Sequence, residues 1–455
     1  MTTERKRSRL RRWLLMYPSL TLVAVTLGSF IYVMTTRYPQ QSAPAGPQAL
    51  VGATVLHGPE LEPHADSTVL VQDGIIQQVG EPSDVEIPDA ATVIDLQGRT
   101  LLPGLIDMHV HLGTPGTGAR SELQIVARSI IDGVRHAPDQ RRAMLEHGVT
   151  SFRSLGDDPA WILELRELVA DGTLEGPRVF AAGPLFTSPG GHPVQTLHGG
   201  DVVDGVEVPA TPEEARRAAA HLAADLDVDV IKVVHDRGLA GVQRLEPLSP
   251  EILDAIAEEA DRHGLPVVAH WGDQTDLEEL LDAGVDGLEH FHPRGRMLNG
   301  WPPDSLHALS ESGVHLGPTV AVMDAVRDEW FAEAWEQVQA RFRELHSSGV
   351  PIIAGSDAPM NGLRFGSGLQ RELELLVEFG MTPQEALRAA TSTAAEALTS
   401  DDIGVIEPGR AADLVAVVGD PLADITTMRD IDAVWRDGRP VVDEGGRTAG
   451  LHRGP

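Results

Sequence analysis

The chain of 455 residues contains no cysteine, and this absence removes several kinds of chemistry. Disulfide bonds, thiolate zinc sites, cysteine nucleophiles and a lipid-modified N-terminal cysteine are all excluded. Lysine is almost absent as well, since Lys6 and Lys232 are the only two. Basic residues number 36 against 68 acidic ones, for a formal net charge of -32. Because like charges repel, nucleic acid is not an expected partner.

The first segment has the pattern of a membrane anchor. Six basic residues and one acid in residues 1–12 precede residues 13–34, which are mostly apolar and carry no charge. A run of this length can cross a bilayer as a helix, and its basic flank stays in the cytoplasm. The alternatives are a buried helix of the soluble core and a cleaved signal peptide, with Ala43 and Ala45 near the cleavage point.

We therefore expect a single-pass protein of the cell membrane. Residues 1–12 would be a cytoplasmic tail, residues 13–34 a transmembrane helix and residues 35–48 a linker. The linker is rich in Pro, Gln, Ala and Ser, which is typical of an extended segment. Everything after it would lie on the extracytoplasmic side of the membrane.

Short β-type runs near both ends predict a small domain. Asp73-Gly74 separates two such runs and marks a hairpin. Similar runs return only at the far end, at residues 412–418, 433–437 and 439–442. We expect residues 49–103 and 404–449 to form one composite β-sandwich domain.

Residues 104–403 alternate short apolar runs with helical stretches, which predicts an α/β fold of βα units around a parallel sheet. Eight such runs suit a closed (β/α)8 TIM barrel better than an open sheet. The predicted strands cover residues 105–112, 149–154, 178–182, 228–234, 266–270, 287–290, 315–320 and 351–357.

Histidines and one aspartate stand where these strands end. His109 and His111 alternate along the first strand, so both point to the same side of it. His-x-His alone arises by chance, but His270, His290 and Asp357 end three further predicted strands. Barrel enzymes place their chemistry at the C-terminal ends of the strands. Imidazole and carboxylate ligands suit zinc or a similar divalent ion.

Lys232 lies in an apolar predicted strand, where an unpaired ammonium would be costly. A structural lysine in a salt bridge is one interpretation, although this chain otherwise uses arginine. The alternative is that burial and nearby metal charge lower its pKa, and that it has reacted with carbon dioxide to give a carbamate. Such an anion can bridge two cations.

The run Leu102-Pro103-Gly104-Leu105-Ile106-Asp107-Met108-His109-Val110-His111 resembles the signature of the amidohydrolase superfamily, in particular its imidazolonepropionase and prolidase-like branch. Gly355-Ser356-Asp357-Ala358 is a further matching stretch, and the resemblance extends over residues 49–442. It implies that His109 and His111 bind one metal ion with Asp357. It also implies that His270 and His290 bind a second ion, and that carboxylated Lys232 bridges the two. Zinc is the expected metal.

The resemblance implies hydrolysis of a C–N amide bond in a small molecule, either a dipeptide of the prolidase type or a cyclic amide, with Asp357 transferring the proton. His192, His235 and Arg153 are the candidate substrate contacts. The alternatives are a mononuclear deaminase or imidazolonepropionase-like hydrolase, a lactonase, and a non-catalytic binding module. The sequence does not indicate an oligomeric state.

Overall fold

A computed structural model describes residues 46–113, 138–197, 199–200, 202, 205–239, 243–291, 293 and 295–441. The predicted tail, anchor and most of the linker lie outside these residues. Among the residues described, no helix has the length and apolar character needed to cross a membrane.

β-Strands occupy both ends of the described chain and alternate with helices between them. In chain order the strands are β1 (Gln48–His57), β2 (Glu62–Gln72), β3 (Ile75–Gly80), β4 (Thr92–Asp95), β5 (Arg99–Pro103), β6 (Leu105–Val110), β7 (Val149–Ser154), β8 (Arg178–Ala181), β9 (Leu185–Phe186), β10 (Val206–Glu207), β11 (Ile231–His235), β12 (Gly238–Leu239), β13 (Gln243–Arg244), β14 (Val267–Trp271), β15 (Gly287–Glu289), β16 (His315–Gly317), β17 (Leu414–Val418), β18 (Ile431–Arg436) and β19 (Arg439–Pro440). Residues 138–146 are α-helical. The α-helices whose two ends are both described are α1 (Pro159–Ala170), α2 (Pro212–Ala224), α3 (Pro250–His263), α4 (Gln274–Asp282), α5 (Pro303–Ser312), α6 (Val320–Ala325), α7 (Trp335–Ser347), α8 (Ser367–Glu378), α9 (Pro383–Ala389) and α10 (Ser392–Ala397).

Local sequence signals explain several of these boundaries. The predicted hairpin joins β2 to β3 through Asp73 and Gly74, whose φ angles of 53° and 82° are those a two-residue turn requires. Helix α3 begins after Ser249, whose side chain accepts a hydrogen bond from the backbone N–H of Ile252. The same helix ends at Gly264 with φ 68°, in the left-handed conformation that favours glycine.

Strands from both ends of the described chain form one sheet in the order β19-β18-β17-β5-β1-β2-β3, with β4 paired to β1. The C-terminal strand β17 runs antiparallel to β5, with Leu414 opposite Pro103. The sequence predicts a sandwich, whereas the hydrogen bonds connect a single sheet, because β1 pairs along both of its edges. Two register shifts between Val51 and Val55 bend β1. The buried core of this sheet includes Trp435.

The central part of the chain confirms the predicted barrel. Strands β6, β7 and β8 pair in parallel, as do β11, β14, β15 and β16. The N–H of Asp229, just before β11, bonds the carbonyl of Ala181 in β8 at 2.9 Å. Parallel bridges of Ile352 to Leu316 and of Ala358 to Val110 close the ring through residues 351–358.

Two predicted strands end differently from the prediction. Residues 351–358 make isolated bridges at Ile352 and Ala358 rather than a continuous strand, and Asp357 has φ 54°. Strand β16 stops at Gly317, and helix α6 starts at Val320 after Thr319, whose φ is 48°. Left-handed φ values at residues other than glycine and asparagine interrupt regular pairing. Both interruptions lie at the C-terminal mouth of the barrel.

Candidate metal centre

The predicted ligands come from five positions around the mouth of the barrel. His109 lies in β6 with His111 just after it, and Lys232 lies in β11. His270 lies in β14, His290 follows β15, and Asp357 lies in the closing segment. His109, Lys232, His290 and Asp357 are all at least nine-tenths buried.

The side chains meet at short distances. Nε2 of His109 is 3.3 Å from Nε2 of His111 and 3.7 Å from Oδ1 of Asp357. Nε2 of His111 is 3.3 Å from the same carboxylate oxygen, and Nδ1 of His290 is 3.8 Å from Oδ2. The ring centroid of His270 is 4.6 Å from that of His290. His109, His290 and Asp357 each offer a ligand atom within 4.8 Å of the others, which is close enough for them to hold one metal ion.

The backbone around this cluster is held in unusual conformations. His290 has φ 74° and Asp357 has φ 54°. Non-glycine residues in this region are strained and concentrate at functional sites. A methyl group on Gly355 would lie 2.7 Å from Cβ of His109, so only glycine lets the closing segment approach β6 this closely.

Lys232 is buried in the interior of the barrel. Within the described part of the chain, its Nζ atom has no hydrogen-bond partner. Burial, together with the charge of Arg153, lowers the pKa of Lys232 to about 8 against the opposing charges of Glu289 and Asp357. With this pKa, about a tenth of the amine is uncharged at pH 7.

Glu289, which the sequence analysis missed, joins His109 to Arg153. Its Oε2 atom is 2.7 Å from Nδ1 of His109, and its Oε1 atom accepts a hydrogen bond from Nη2 of Arg153. Burial opposes ionisation of Glu289, but the charge of Arg153 and the hydrogen bond with His109 hold its pKa below the usual range. Burial lowers the pKa of His109 to about 4, so this imidazole is neutral near pH 7.

Arg153, a predicted substrate contact, has a fully buried side chain in the structure. Its side chain is about 1% exposed, and Nε donates to the carbonyl of Met108 at 2.8 Å. Arg153 borders a cavity of about 420 Å³ that also contacts Asp286 and Val314, at the N-terminal ends of β15 and β16. The guanidinium is enclosed below the mouth and positions Glu289 instead.

His235, another predicted substrate contact, meets a carboxylate of a neighbouring helix. Side chains alternate along a strand, and Lys232 points into the barrel, so His235, three residues later, points outward. Its Nε2 atom is 2.7 Å from Oε2 of Glu279 on helix α4. His235, Asp276 and Glu279 are close enough to hold a metal, but the guanidinium of Arg237 already bonds both carboxylates. This second group is an ion-pair cluster.

His192, the third predicted substrate contact, lies beside the predicted ligand His270. Its ring stacks on that of His270, with centroids 5.2 Å apart and planes 19° from parallel. Nδ1 of His192 bonds Oγ1 of Thr196 in the same loop.

Two further side chains contact predicted ligands and were also missed. Oγ1 of Thr319 is 2.8 Å from Nδ1 of His290, and Oδ2 of Asp236 is 3.2 Å from Nε2 of His270. A signal for Glu289 was available, because a charged residue inside the short predicted strand at 287–290 requires a buried partner. Nothing local in the sequence identifies Thr319.

A closed parallel barrel with imidazoles and a carboxylate at its C-terminal mouth defines the class: an enzyme of the TIM-barrel type. A family model described as "Amidohydrolase family" matches residues 100–441, and the chain belongs to that family. It is a hydrolase of the kind that acts on carbon–nitrogen bonds.

Relatives with known names span nearly the whole of the described region. Ochratoxinase of Aspergillus niger is 29% identical over 419 residues, which cover 83% of either chain. Imidazolonepropionase of Halobacterium salinarum is 27% identical over 440 residues, 88% of this chain and 98% of the relative. The solved structure of a Xaa-Pro dipeptidase with bound methionine superposes with a TM-score of 0.72 and 26% identity, covering 87% of this chain and 99% of that one.

Proposed function

We propose that this chain is a binuclear metal-dependent amidohydrolase that cleaves the C–N amide bond of a dipeptide-like or cyclic amide substrate. The observation that carries the proposal is the convergence of four imidazoles and Asp357 at the mouth of the barrel. The buried amine of Lys232 is near enough to influence the pKa values of His109, His111 and Asp357. The similarity to a Xaa-Pro dipeptidase and to an imidazolonepropionase supports both substrate classes.

The donor set fits a pair of divalent ions, with zinc as the expected metal. His109, His111 and Asp357 would hold one ion, and His270 and His290 the other. Lys232 would bridge them as a carbamate, which accounts for a buried amine without a partner among the described residues and with its pKa lowered to about 8. When bound, the ions supply Lewis-acid activation of the substrate carbonyl and of the attacking water.

Asp357 is the group that would move the proton. Burial opposes its ionisation, but His109 and His111 hold its pKa below the usual range, so it is ionised at neutral pH. Its carboxylate accepts a proton from the attacking water as the oxygen adds to the carbonyl carbon. The C–N bond then breaks, and Asp357 delivers that proton to the leaving nitrogen.

His192 would contact the substrate. Its ring stacks on His270 at the edge of the centre and is only half-buried. A substrate atom bound to the ions would therefore lie near this loop. His192→Ala should raise KM more than it lowers kcat, because the ring contacts the substrate rather than the reacting bond.

The deciding experiment combines metal analysis with substrate screening. Purified protein without residues 1–40 should contain two divalent ions per chain, lose activity to a chelator and regain it with zinc. It should hydrolyse members of a panel of Xaa-Pro and other dipeptides, N-acyl amino acids, hydantoins and lactones. One ion per chain with deaminase or imidazolonepropionase-like activity would favour the mononuclear alternative, and lactones as the preferred substrates would favour a lactonase. A metal-free protein with full activity would refute the proposal.

We also propose that residues 13–34 anchor the enzyme in the cell membrane with the barrel on the extracytoplasmic side. The support is the step from six basic residues to an uncharged apolar run. The intact protein should fractionate with membranes, and protease added outside spheroplasts should digest the barrel. Full-length protein found free in the cytoplasm would contradict the anchor.

A further inference from the structure

Asp236 contacts a predicted metal ligand. It directly follows β11, and its Oδ2 atom lies 3.2 Å from Nε2 of His270. Its other oxygen, Oδ1, accepts a hydrogen bond from the backbone N–H of Gly238 at 2.6 Å. Both oxygens are therefore engaged, and the side chain is buried. This arrangement fixes where the carboxylate can lie.

We propose that Asp236 is a positioning residue for His270, an inference that rests on the proposed metal centre. A neutral imidazole carries one proton, and a carboxylate at Nε2 favours the tautomer protonated there. Nδ1 of His270 then keeps the lone pair that a metal ion needs. Histidines that bind metal generally donate their other ring N–H to a carboxylate or a similar acceptor, which fixes the ring.

The same arrangement recurs at the neighbouring ligands. His109 contacts the carboxylate of Glu289 through Nδ1, and His290 contacts the hydroxyl of Thr319 through Nδ1. Asp236 contacts His270 through Nε2 instead, so the nitrogen left for a metal is Nδ1 in His270 but Nε2 in His109 and His290.

Gly272 provides the space for this carboxylate. A Cβ atom on Gly272 would lie 1.9 Å from Oδ1 and 2.7 Å from Cγ of Asp236. The φ of Gly272 is outside the left-handed region, so its backbone conformation does not itself demand glycine. The absence of a side chain at this position, two residues after His270, is explained by the approach of Asp236.

Asp276 holds the two strand ends together. Its Oδ2 atom accepts hydrogen bonds from the backbone N–H groups of Arg237 and Gly272, both at 3.2 Å. Arg237 follows Asp236 directly, and Gly272 follows the strand that carries His270. One carboxylate at the start of α4 therefore sets the separation between Asp236 and His270.

Two variants test the inference. Asp236→Asn preserves shape but weakens the preference for a proton on Nε2, so the zinc affinity measured by chelator competition should fall about 10- to 100-fold. In the metal-free protein, nitrogen-15 NMR of labelled histidines should show His270 losing its Nε2-protonated tautomer. Gly272→Ala should give a similar loss by displacing the carboxylate.

A double variant and a control separate this role from general damage. Asp236→Ala with Gly272→Ala should bind zinc about as well as Asp236→Ala alone, because the two Asp236 atoms nearest to the new methyl group are gone and the remaining neighbour, Oδ2 of Asp276, lies at 3.0 Å. Asp286→Asn is the matched control, since Asp286 accepts the N–H of Val267 at the opposite end of β14. It should leave zinc affinity unchanged.

The outcomes distinguish this inference from the proposed function. Wild-type zinc affinity and an unchanged His270 tautomer in folded Asp236→Asn would overturn the role of Asp236 alone. Failure of the wild-type protein to bind any divalent ion would overturn the metal centre. In that case the NMR comparison of metal-free proteins still decides whether Asp236 controls His270.

Discussion

Replacing Glu289 with glutamine should test the buried connection between Arg153 and His109. Glutamine keeps a carbonyl oxygen for Nη2 of Arg153 but removes the negative charge from a fully buried position. Its amide would then donate to Nδ1 of His109, which forces the proton onto Nε2, the atom that faces His111 and Asp357. One substitution therefore leaves a buried guanidinium without a counter-charge and blocks a predicted ligand.

The expected size follows from the burial of both partners. Breaking a buried ion pair on one side costs about 3 to 5 kcal/mol. We expect the lower end, about 3 kcal/mol, because the hydrogen bond to Arg153 survives. Urea unfolding of the metal-free protein measures this loss, and chelator competition should show zinc affinity reduced about 10- to 100-fold.

A surface pair provides the control. Nη2 of Arg216 is 3.0 Å from Oε2 of Glu258, and both side chains are exposed to solvent. Glu258→Gln should cost less than about 1 kcal/mol. If Glu289→Gln costs no more than this control and binds zinc normally, the connection through Glu289 has no energetic importance.

The pH dependence provides an independent check with a defined sign. The folded state lowers the pKa of Glu289, so its contribution to stability is complete above the ordinary glutamate pKa of 4.5 and is lost as pH falls. The stability difference between wild type and Glu289→Gln should therefore shrink in acid.

Three further predictions concern Lys232 and the small domain. Lys232→Ala should lose most of its metal and activity, and a short carboxylate supplied in solution should restore part of both. Lys232→Arg should not recover, because a guanidinium cannot carry a carbamate. An active Lys232→Arg enzyme with two ions would refute the bridge. For metal-free protein in buffer without carbon dioxide, the free energy of unfolding should rise by up to about 3 kcal/mol between about pH 8 and 10.5. The reason is that Lys232 keeps its proton in the unfolded chain over this range but releases it in the folded protein. Lys232→Met should remove this pH dependence. Ending the chain at Gly404 deletes β17 to β19 and leaves β5 unpaired along one edge. Solubility and melting temperature should both fall, because the unpaired edge is exposed. An unchanged melting temperature would show that the two ends are independent.

The barrel and the positions of its ligands were predictable because they depend on local repeats. Alternating apolar runs and helices indicated the βα units, and the two-residue period of a strand put His109 and His111 on one side. Applied to Lys232, the same two-residue period predicts that His235, three residues later, points away from the interior of the barrel. The prediction of His235 as a substrate contact rested on its proximity in sequence to Lys232.

The partners of the ligands depend on contacts between distant parts of the chain. Glu289 and His109 are 180 residues apart, and Arg153 reaches Glu289 across 136 residues. Arg153 was available for substrate binding on sequence alone, and only the closure of the barrel shows that it lies beneath the mouth. No local pattern specifies which acid will meet which base once the strands form a ring.

By itself, the sequence determined the strand and helix periods, the hairpin at Asp73-Gly74 and the residue types able to bind metal, because these follow from local backbone geometry and side-chain chemistry. Tertiary structure alone decided that β17 pairs with β5, that the last barrel strand is replaced by an irregular segment at Asp357, and that Asp236 approaches His270. Each of these depends on packing between residues far apart in the chain, where steric fit and burial select one arrangement among many that local preferences allow.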